Sequence, residues 1–139
     1  MDGDRAPLVE LYALTREHHV WLMVDEAHAL GVFGNKGNGL LALLSIPDVE
    51  IVTGTLSKAI GGLGGYVAGA QELKDYLINR SHAFIYTTAL PEVVIKQNIR
   101  GLKKMSDRLQ KKLWQNIDYF YEQFCRNAKF CVSTELQKP

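Results

Sequence analysis

Apolar residues form short continuous runs in the first two thirds of the chain and a helical repeat in the last third. Runs rich in apolar residues predict β-strands at residues 21–24, 50–53, 66–70 and 84–87. Residues 21–24 are apolar without a break, which is typical of a strand buried on both faces of a parallel sheet. Strands that alternate with helical segments indicate an α/β fold with a mainly parallel sheet and helices on both of its faces.

Apolar residues spaced by three and four positions predict the helices. The first begins at Pro7, whose missing N–H suits the first turn of a helix, and ends near His18. Shorter helices are predicted at residues 40–44 and 71–80. From residue 88 to residue 124 the repeat predicts one long amphipathic helix or two abutting ones, and a short strand is predicted at residues 130–133.

Two segments that follow predicted strands carry the candidate chemistry. Asp25 and His28 follow the first strand, and a glycine-rich loop at residues 31–39, expected to line a cleft, comes next. Lys58 follows the second strand in a run of small residues with four glycines just after it. In open α/β sheets, ligands bind where parallel strands end, so we expect these groups to meet at one edge of the sheet.

Composition and charge exclude several classes of function. The chain of 139 residues fits one domain, and its net charge of +1 gives no electrostatic footprint for nucleic acid or for an anionic membrane. No apolar run approaches the roughly 20 residues of a membrane span. Two cysteines, Cys125 and Cys131, lack metal-type spacing, so no metal site is predicted. We expect a cytoplasmic protein.

The residue types at the two strand ends suit a carbonyl cofactor with an aromatic ring. A lysine among glycines and hydroxyls can react with an aldehyde, and hydroxyls and bare N–H groups can hold a phosphate. Asp25 can keep a pyridine nitrogen protonated, and His28 can donate to a ring oxygen. An amine together with an acidic partner for the ring nitrogen is the arrangement that pyridoxal 5′-phosphate (PLP) requires.

Four stretches resemble the α-oxoamine synthases, PLP-dependent enzymes of the aspartate-aminotransferase superfamily (fold type I). They occur in the family's order and spacing within residues 1–91, and together they are highly specific. They are MDGDRAPL, VDEAHALGVFGNKGNG, GTLSKAIGGLGGYVAG and FIYTTALP. The resemblance implies part of the large domain of an aspartate-aminotransferase-like fold, ending in a long helix.

The resemblance also implies a role for each matching residue. Lys58 corresponds to the lysine that carries the cofactor and later moves the substrate α-proton. Asp25 corresponds to the partner of the pyridine nitrogen, His28 to the donor to the phenolic oxygen, and Thr55 to a ligand of the phosphate. Family members vary at the position of Ser57, so it receives no role.

The family reaction and assembly supply the expected partners. A small amino acid, alanine or glycine, condenses with an acyl thioester of coenzyme A or a carrier protein, and most members release carbon dioxide. Thr87 and Thr88 resemble the pair that reaches the phosphate of the neighbouring subunit in a homodimer. The resemblance therefore implies a homodimer, or self-association, with shared sites.

Family enzymes are far longer than this chain. We expect residues 1–127 to be the central part of the large domain and residues 128–139 to begin a truncated C-terminal segment. We therefore also expect the purified chain to bind PLP weakly or not at all.

Two other interpretations compete with a PLP enzyme. VDEAH resembles the Walker B segment of helicase-type ATPases, but that function needs an upstream GxxxxGK[ST] loop, which the sequence does not contain. A chain with these motifs could also be a vestigial or scaffolding subunit that contributes only an interface. The first is tested by nucleotide-dependent thermal protection, and the second by whether an adjacent gene supplies the remaining segments.

Overall fold

The computed structural model describes residues 4–127 as an α/β unit that ends in a long helix, as predicted. The predicted strand at residues 130–133 lies outside the described residues. The elements in chain order are α1 (Leu8–Glu17), β1 (Met23–Asp25), α2 (Leu40–Leu43), β2 (Ile51–Thr55), β3 (Gly65–Gly69), α3 (Gln71–Arg80), α4 (His82–Ile85), α5 (Glu92–Lys104) and α6 (Asp107–Asn127).

The three strands form one mixed sheet in the order β1-β2-β3. Strands β1 and β2 are parallel, with Asp25 opposite Thr53, whereas β2 and β3 are antiparallel, with Thr53 opposite Val67. The prediction of a mainly parallel sheet therefore needs correction in the part of the chain that is described. Only nine residues, 56–64, join β2 to β3, and a parallel connection needs a dozen or more.

The core lies on one face of the sheet. Leu22 and Val24 point to this face and are buried together with Leu8 of α1 and Leu40 of α2. The other face is open, because Met23 is 60% exposed and Val67 is 52% exposed. The predicted burial of the first strand on both faces is therefore wrong for this chain.

The segment predicted as a fourth strand is helical instead. Residues 82–85 form the short helix α4, in which the Phe84 and Ile85 amides donate to the Ser81 carbonyl, and the following Tyr86 amide donates to the His82 carbonyl. Among the described residues this segment joins no strand of the sheet, and its backbone forms hydrogen bonds locally instead. The strand predicted at residues 84–87 is thus wrong.

The C-terminal third contains two abutting amphipathic helices, one of the two predicted alternatives. Helix α5 ends at Lys104, and α6 begins at Asp107 after a break at Met105 and Ser106. Four lysines of these helices are exposed, Lys103, Lys104, Lys111 and Lys112. Among the described helices, none is both long enough and apolar enough to cross a bilayer.

Candidate functional site

The parallel pairing of β1 with β2 brings the two predicted reactive segments to one edge of the sheet. Asp25 is the last residue of β1 and lies beside Thr53 of β2. Its carboxylate accepts a hydrogen bond from the Thr53 hydroxyl at 2.9 Å and one from the Ala27 backbone N–H at 2.7 Å. These two bonds fix the carboxylate at the strand end.

The same contacts keep Asp25 ionised. The Ala27 N–H lowers the pKa of this carboxyl below its ordinary 3.8, and the Thr53 hydroxyl lowers it further. Desolvation by burial opposes these two bonds, and the charges of Lys58 and His28 lower the pKa further. A carboxylate held in its charged form is the partner that a protonated pyridine nitrogen requires.

Lys58 and His28 meet directly, although they follow different strands. The Nζ atom of Lys58 lies 3.0 Å from the Nε2 atom of His28, and both side chains are exposed. The tautomer of the imidazole decides which nitrogen donates. The structure therefore gathers the predicted amine, imidazole and acid at one place.

Thr55 and Ser57 present two hydroxyls at the end of β2. Their oxygens are 2.7 Å apart, and the Ser57 N–H donates to the Thr55 hydroxyl at 3.2 Å. The Thr55 hydroxyl also reaches the Gly64 carbonyl at 3.2 Å. Hydroxyls and amides clustered in this way suit a phosphate, so Ser57 is a candidate ligand beside the predicted Thr55.

Residues 56–64, hereafter the lysine loop, are closed by their own backbone. The Leu56 N–H donates to the Gly64 carbonyl and the Gly62 N–H to the Leu56 carbonyl, both at 2.8 Å. The Gly61 N–H donates to the Lys58 carbonyl at 3.0 Å. Gly61 and Gly64 have φ angles of 71° and 109°, which favour glycine. Lys58 thus sits on a bent but internally bonded loop.

Thr87 and Thr88 are exposed on the segment that joins α4 to α5. Within residues 4–127, the described hydrogen bonds connect neither of them to Asp25, His28, Thr55 or Lys58. Their predicted role requires a second subunit and stays a prediction.

An apolar cleft of about 670 Å³ opens beside Asp25 on the uncovered face of the sheet. Met23 and Val67 form its floor, and Leu77 of α3 and Phe84 border it. A smaller cleft of about 340 Å³, on the other side of Asp25, is lined by His28. Asp25 lines both clefts, whereas Lys58 lines neither.

Glu26 is a structural residue of the site that sequence reasoning did not single out. It is 3% exposed, and its carboxylate accepts the Leu40 and Leu41 N–H groups at 2.9 and 2.8 Å. A Cβ atom on Gly39 would come within 2.8 Å of this carboxylate, so the glycine allows the approach. The glycine-rich loop predicted to line a cleft is therefore partly packed, with Glu26 anchoring its end.

Tyr66 borders the site from β3. A Cβ atom on Gly54 would come within 2.5 Å of the Tyr66 ring, so the ring lies directly over the glycine. Burial raises the pKa of the Tyr66 hydroxyl, and the negative charges of Glu26 and Asp25 raise it further. The phenol accordingly stays protonated beside the two carboxylates.

A family model and curated relatives match most of this chain. The model of the family "Aminotransferase class I and II" matches residues 1–134. The 8-amino-7-oxononanoate synthase of Methylococcus capsulatus is 45% identical over 114 residues, which are 81% of this chain and 30% of that protein. The chain spans about a third of the length of the curated relatives it matches.

Solved structures give the same result. A serine palmitoyltransferase variant from S. paucimobilis, solved with a bound PLP–myriocin aldimine, has a TM-score of 0.85 and 27% identity over 96% of this chain and 36% of that one. The 8-amino-7-oxononanoate synthase of Francisella tularensis has a TM-score of 0.69 and 35% identity over 83% of this chain and 36% of that one. These matches confirm the predicted similarity to the α-oxoamine synthases and to fold type I.

Proposed function

We propose that this chain, which belongs to the aminotransferase class I and II family, supplies the PLP site of an 8-amino-7-oxononanoate synthase. The observation that carries the proposal is the 3.0 Å contact between Lys58 Nζ and His28 Nε2, next to an ionised Asp25. The similarity to 8-amino-7-oxononanoate synthases at 37–45% identity supports the choice within the family.

The residues present fit the cofactor group by group. Asp25 is a carboxylate for the ring nitrogen, the His28 imidazole suits the phenolic oxygen, and the Lys58 amine suits the aldehyde. Thr55 and Ser57 offer two hydroxyls for the phosphate. When bound, PLP supplies an electron sink for the carbanion formed at the substrate α-carbon.

The side chains of the chain contribute orientation and proton transfer. Asp25 stays ionised because Ala27 and Thr53 donate to its two oxygens, and this carboxylate would favour a protonated ring nitrogen when PLP is bound. Lys58 can accept the α-proton of the substrate as a general base. His28, in contact with its amine, orients Lys58 for that transfer.

The proposed substrates are a small amino acid, alanine or glycine, and an acyl thioester of coenzyme A or a carrier protein. Alanine and a step in biotin biosynthesis correspond to the favoured enzyme, and a glycine C-acetyltransferase is the alternative within the family. We place the protein in the cytoplasm, as a homodimer in which Thr87 and Thr88 reach the phosphate of the partner's site.

We further propose that residues 1–127 correspond to the central part of the large domain and residues 128–139 to the start of the following segment. The coverage of about a third of each relative supports this assignment. Turnover would then depend on the remaining elements of the fold. A scaffolding subunit without catalysis remains the competing function, and the labelling below separates the two.

Reductive trapping tests the proposal, because borohydride makes even a weakly formed lysine–pyridoxyl bond permanent. The chain is treated with PLP and borohydride, and the modified lysines are identified by peptide mapping. We expect Lys58 to be modified ahead of the other lysines, and Lys58→Arg to remove that preference. Lys74→Arg, at an exposed position on α3, is the matched control. Equal modification of Lys58 and Lys74 in the parent chain would contradict the proposal and favour a scaffold.

A further inference from the structure

Helix α5 holds the far end of the lysine loop through one buried amide. Asn98 is 6% exposed although it lies on an amphipathic helix. Its Oδ1 atom accepts the Leu63 N–H at 3.2 Å, and its Nδ2 atom donates to the Leu63 carbonyl at 2.9 Å. One side chain therefore satisfies both backbone groups of a residue 35 positions away.

Two neighbours on α5 reinforce this contact. Gln97 donates its side-chain N–H to the Gly61 carbonyl. Gly101, one turn further along, lies so close to Ile60 that an added Cβ atom would collide with the Ile60 carbonyl. Ile60 is itself 6% exposed. Helix α5 thus touches the loop at three successive points.

The lysine loop has a glycine at the position where the Asn98 side chain needs space. A Cβ atom on Gly62 would overlap the side-chain oxygen of Asn98, so only glycine leaves room for the amide. Gly61 connects α5 to the reactive lysine. Its carbonyl accepts from Gln97, and its N–H donates to the carbonyl of Lys58. The backbone of the reactive lysine is therefore one step removed from α5.

We propose that Asn98 is a positioning residue that holds Lys58 in place beside His28 and Asp25. It acts by fixing the turn at Gly61–Leu63, and Gln97 assists it. The inference rests on the proposed function only where it assigns Lys58 to the cofactor. The positioning itself is a property of the chain without ligand, and its test can be made without PLP.

The test compares Asn98→Ala and Gln97→Ala with Asn79→Ala in the full chain. Asn79 is the matched control, because it is exposed on α3 and its side-chain amide donates to the Asp75 carbonyl of the same helix. Two readouts need no cofactor. They are hydrogen–deuterium exchange at the Leu63 amide and the ratio of Lys58 to Lys74 modification by formaldehyde and cyanoborohydride.

We expect Asn98→Ala to accelerate Leu63 exchange at least tenfold and to raise the Lys58:Lys74 ratio at least twofold, since the amine is no longer held against His28. Gln97→Ala should change both in the same direction by a smaller factor, and Asn79→Ala should change neither. Faster Leu63 exchange with an unchanged labelling ratio would reduce Asn98 to a purely structural residue and overturn the proposal. An unchanged rate of Leu63 exchange in Asn98→Ala would also overturn the proposal.

If Asn98→Ala does not fold, the Gln97→Ala variant tests the proposal instead, because Gln97 is exposed and its truncation is tolerated. An unchanged ratio in that variant then overturns the proposal. A parallel reaction with PLP and borohydride separates the two hypotheses. If PLP shows no preference for Lys58 in the parent chain, the proposed function fails, while the two cofactor-free readouts still decide the role of Asn98.

Discussion

Lys58 Nζ lies 3.0 Å from His28 Nε2, across thirty residues of sequence and two strands. This contact exists because β1 and β2 run parallel and end at the same edge of the sheet. It joins the amine to the imidazole that we propose as the donor to the phenolic oxygen of PLP. The predictions below follow from it and from the residues that support it.

Replacing His28 should weaken the reaction of Lys58 with PLP. His28→Gln removes the imidazole that we propose as the donor to the phenolic oxygen of PLP, and the loss of one such hydrogen bond corresponds to a decrease of about threefold to tenfold in Lys58 labelling by PLP. The rate is measured by reductive trapping and peptide mapping. His18→Gln, at the exposed end of α1, is the control and should leave the rate unchanged. An equal decrease in both variants would indicate a general effect on folding.

Asp25 should make stability depend on pH. Its pKa is held below 3.8 in the folded chain by Ala27 and Thr53, so its ionised form stabilises the fold above the unfolded-state pKa. That contribution is lost as the pH falls through the folded-state pKa. The free energy of unfolding of the parent chain should therefore exceed that of Asp25→Asn at neutral pH, and the difference should shrink on acidification.

Urea denaturation at a series of pH values measures this difference. Asp48→Asn is the control, because Asp48 is exposed between α2 and β2. A gap between parent and Asp25→Asn that stays constant from neutral to acidic pH would show that the carboxylate is not the stabilising form.

Glu26 should be required for stability. Glu26→Ala leaves the N–H groups of Leu40 and Leu41 without their buried acceptor, which should lower the free energy of unfolding by about 2–4 kcal/mol. Glu17→Ala, exposed at the end of α1, should change it by less than about 0.5 kcal/mol. Urea denaturation compares the two variants. Similar values for both would mean that Glu26 does not anchor the loop.

The open face of the sheet should favour self-association. Val67 is 52% exposed on the floor of the apolar cleft, and uncovered strands tend to pair or to be covered. Val67→Lys should lower the average mass measured by sedimentation equilibrium toward that of one chain. Val93→Lys introduces the same charge on α5, where valine is 71% exposed, and should not lower it. A single-chain mass for the parent would contradict the prediction.

The sequence predicted the strand ends well because each reactive residue follows an apolar run. Asp25 ends β1, and Thr55 ends β2, which places Lys58 just outside the sheet. The direction of β3 was not foreseen, although the short lysine loop contained the signal. Nine residues suffice for an antiparallel neighbour and not for a crossover.

Other features could not be read from local pattern. Residues 84–87 are apolar and aromatic, and four residues cannot separate a strand from a helical turn when the pairing partner is unknown. Asn98 is a polar residue on an amphipathic helix, and the local pattern does not mark it as buried. Its burial depends on Leu63, 35 residues earlier, and the tertiary contact alone reveals it.

The central claim is that Asp25, His28 and Lys58 form one PLP site on this chain. The most direct measurement is the ¹⁵N chemical shift of the ring nitrogen in the borohydride-reduced PLP adduct of Lys58, which is covalent and independent of binding strength. At a pH where free pyridoxyl-lysine has lost its ring proton, we predict a protonated nitrogen in the parent chain and a neutral one in Asp25→Asn. A neutral nitrogen in the parent, identical to that of Asp25→Asn, would contradict the account.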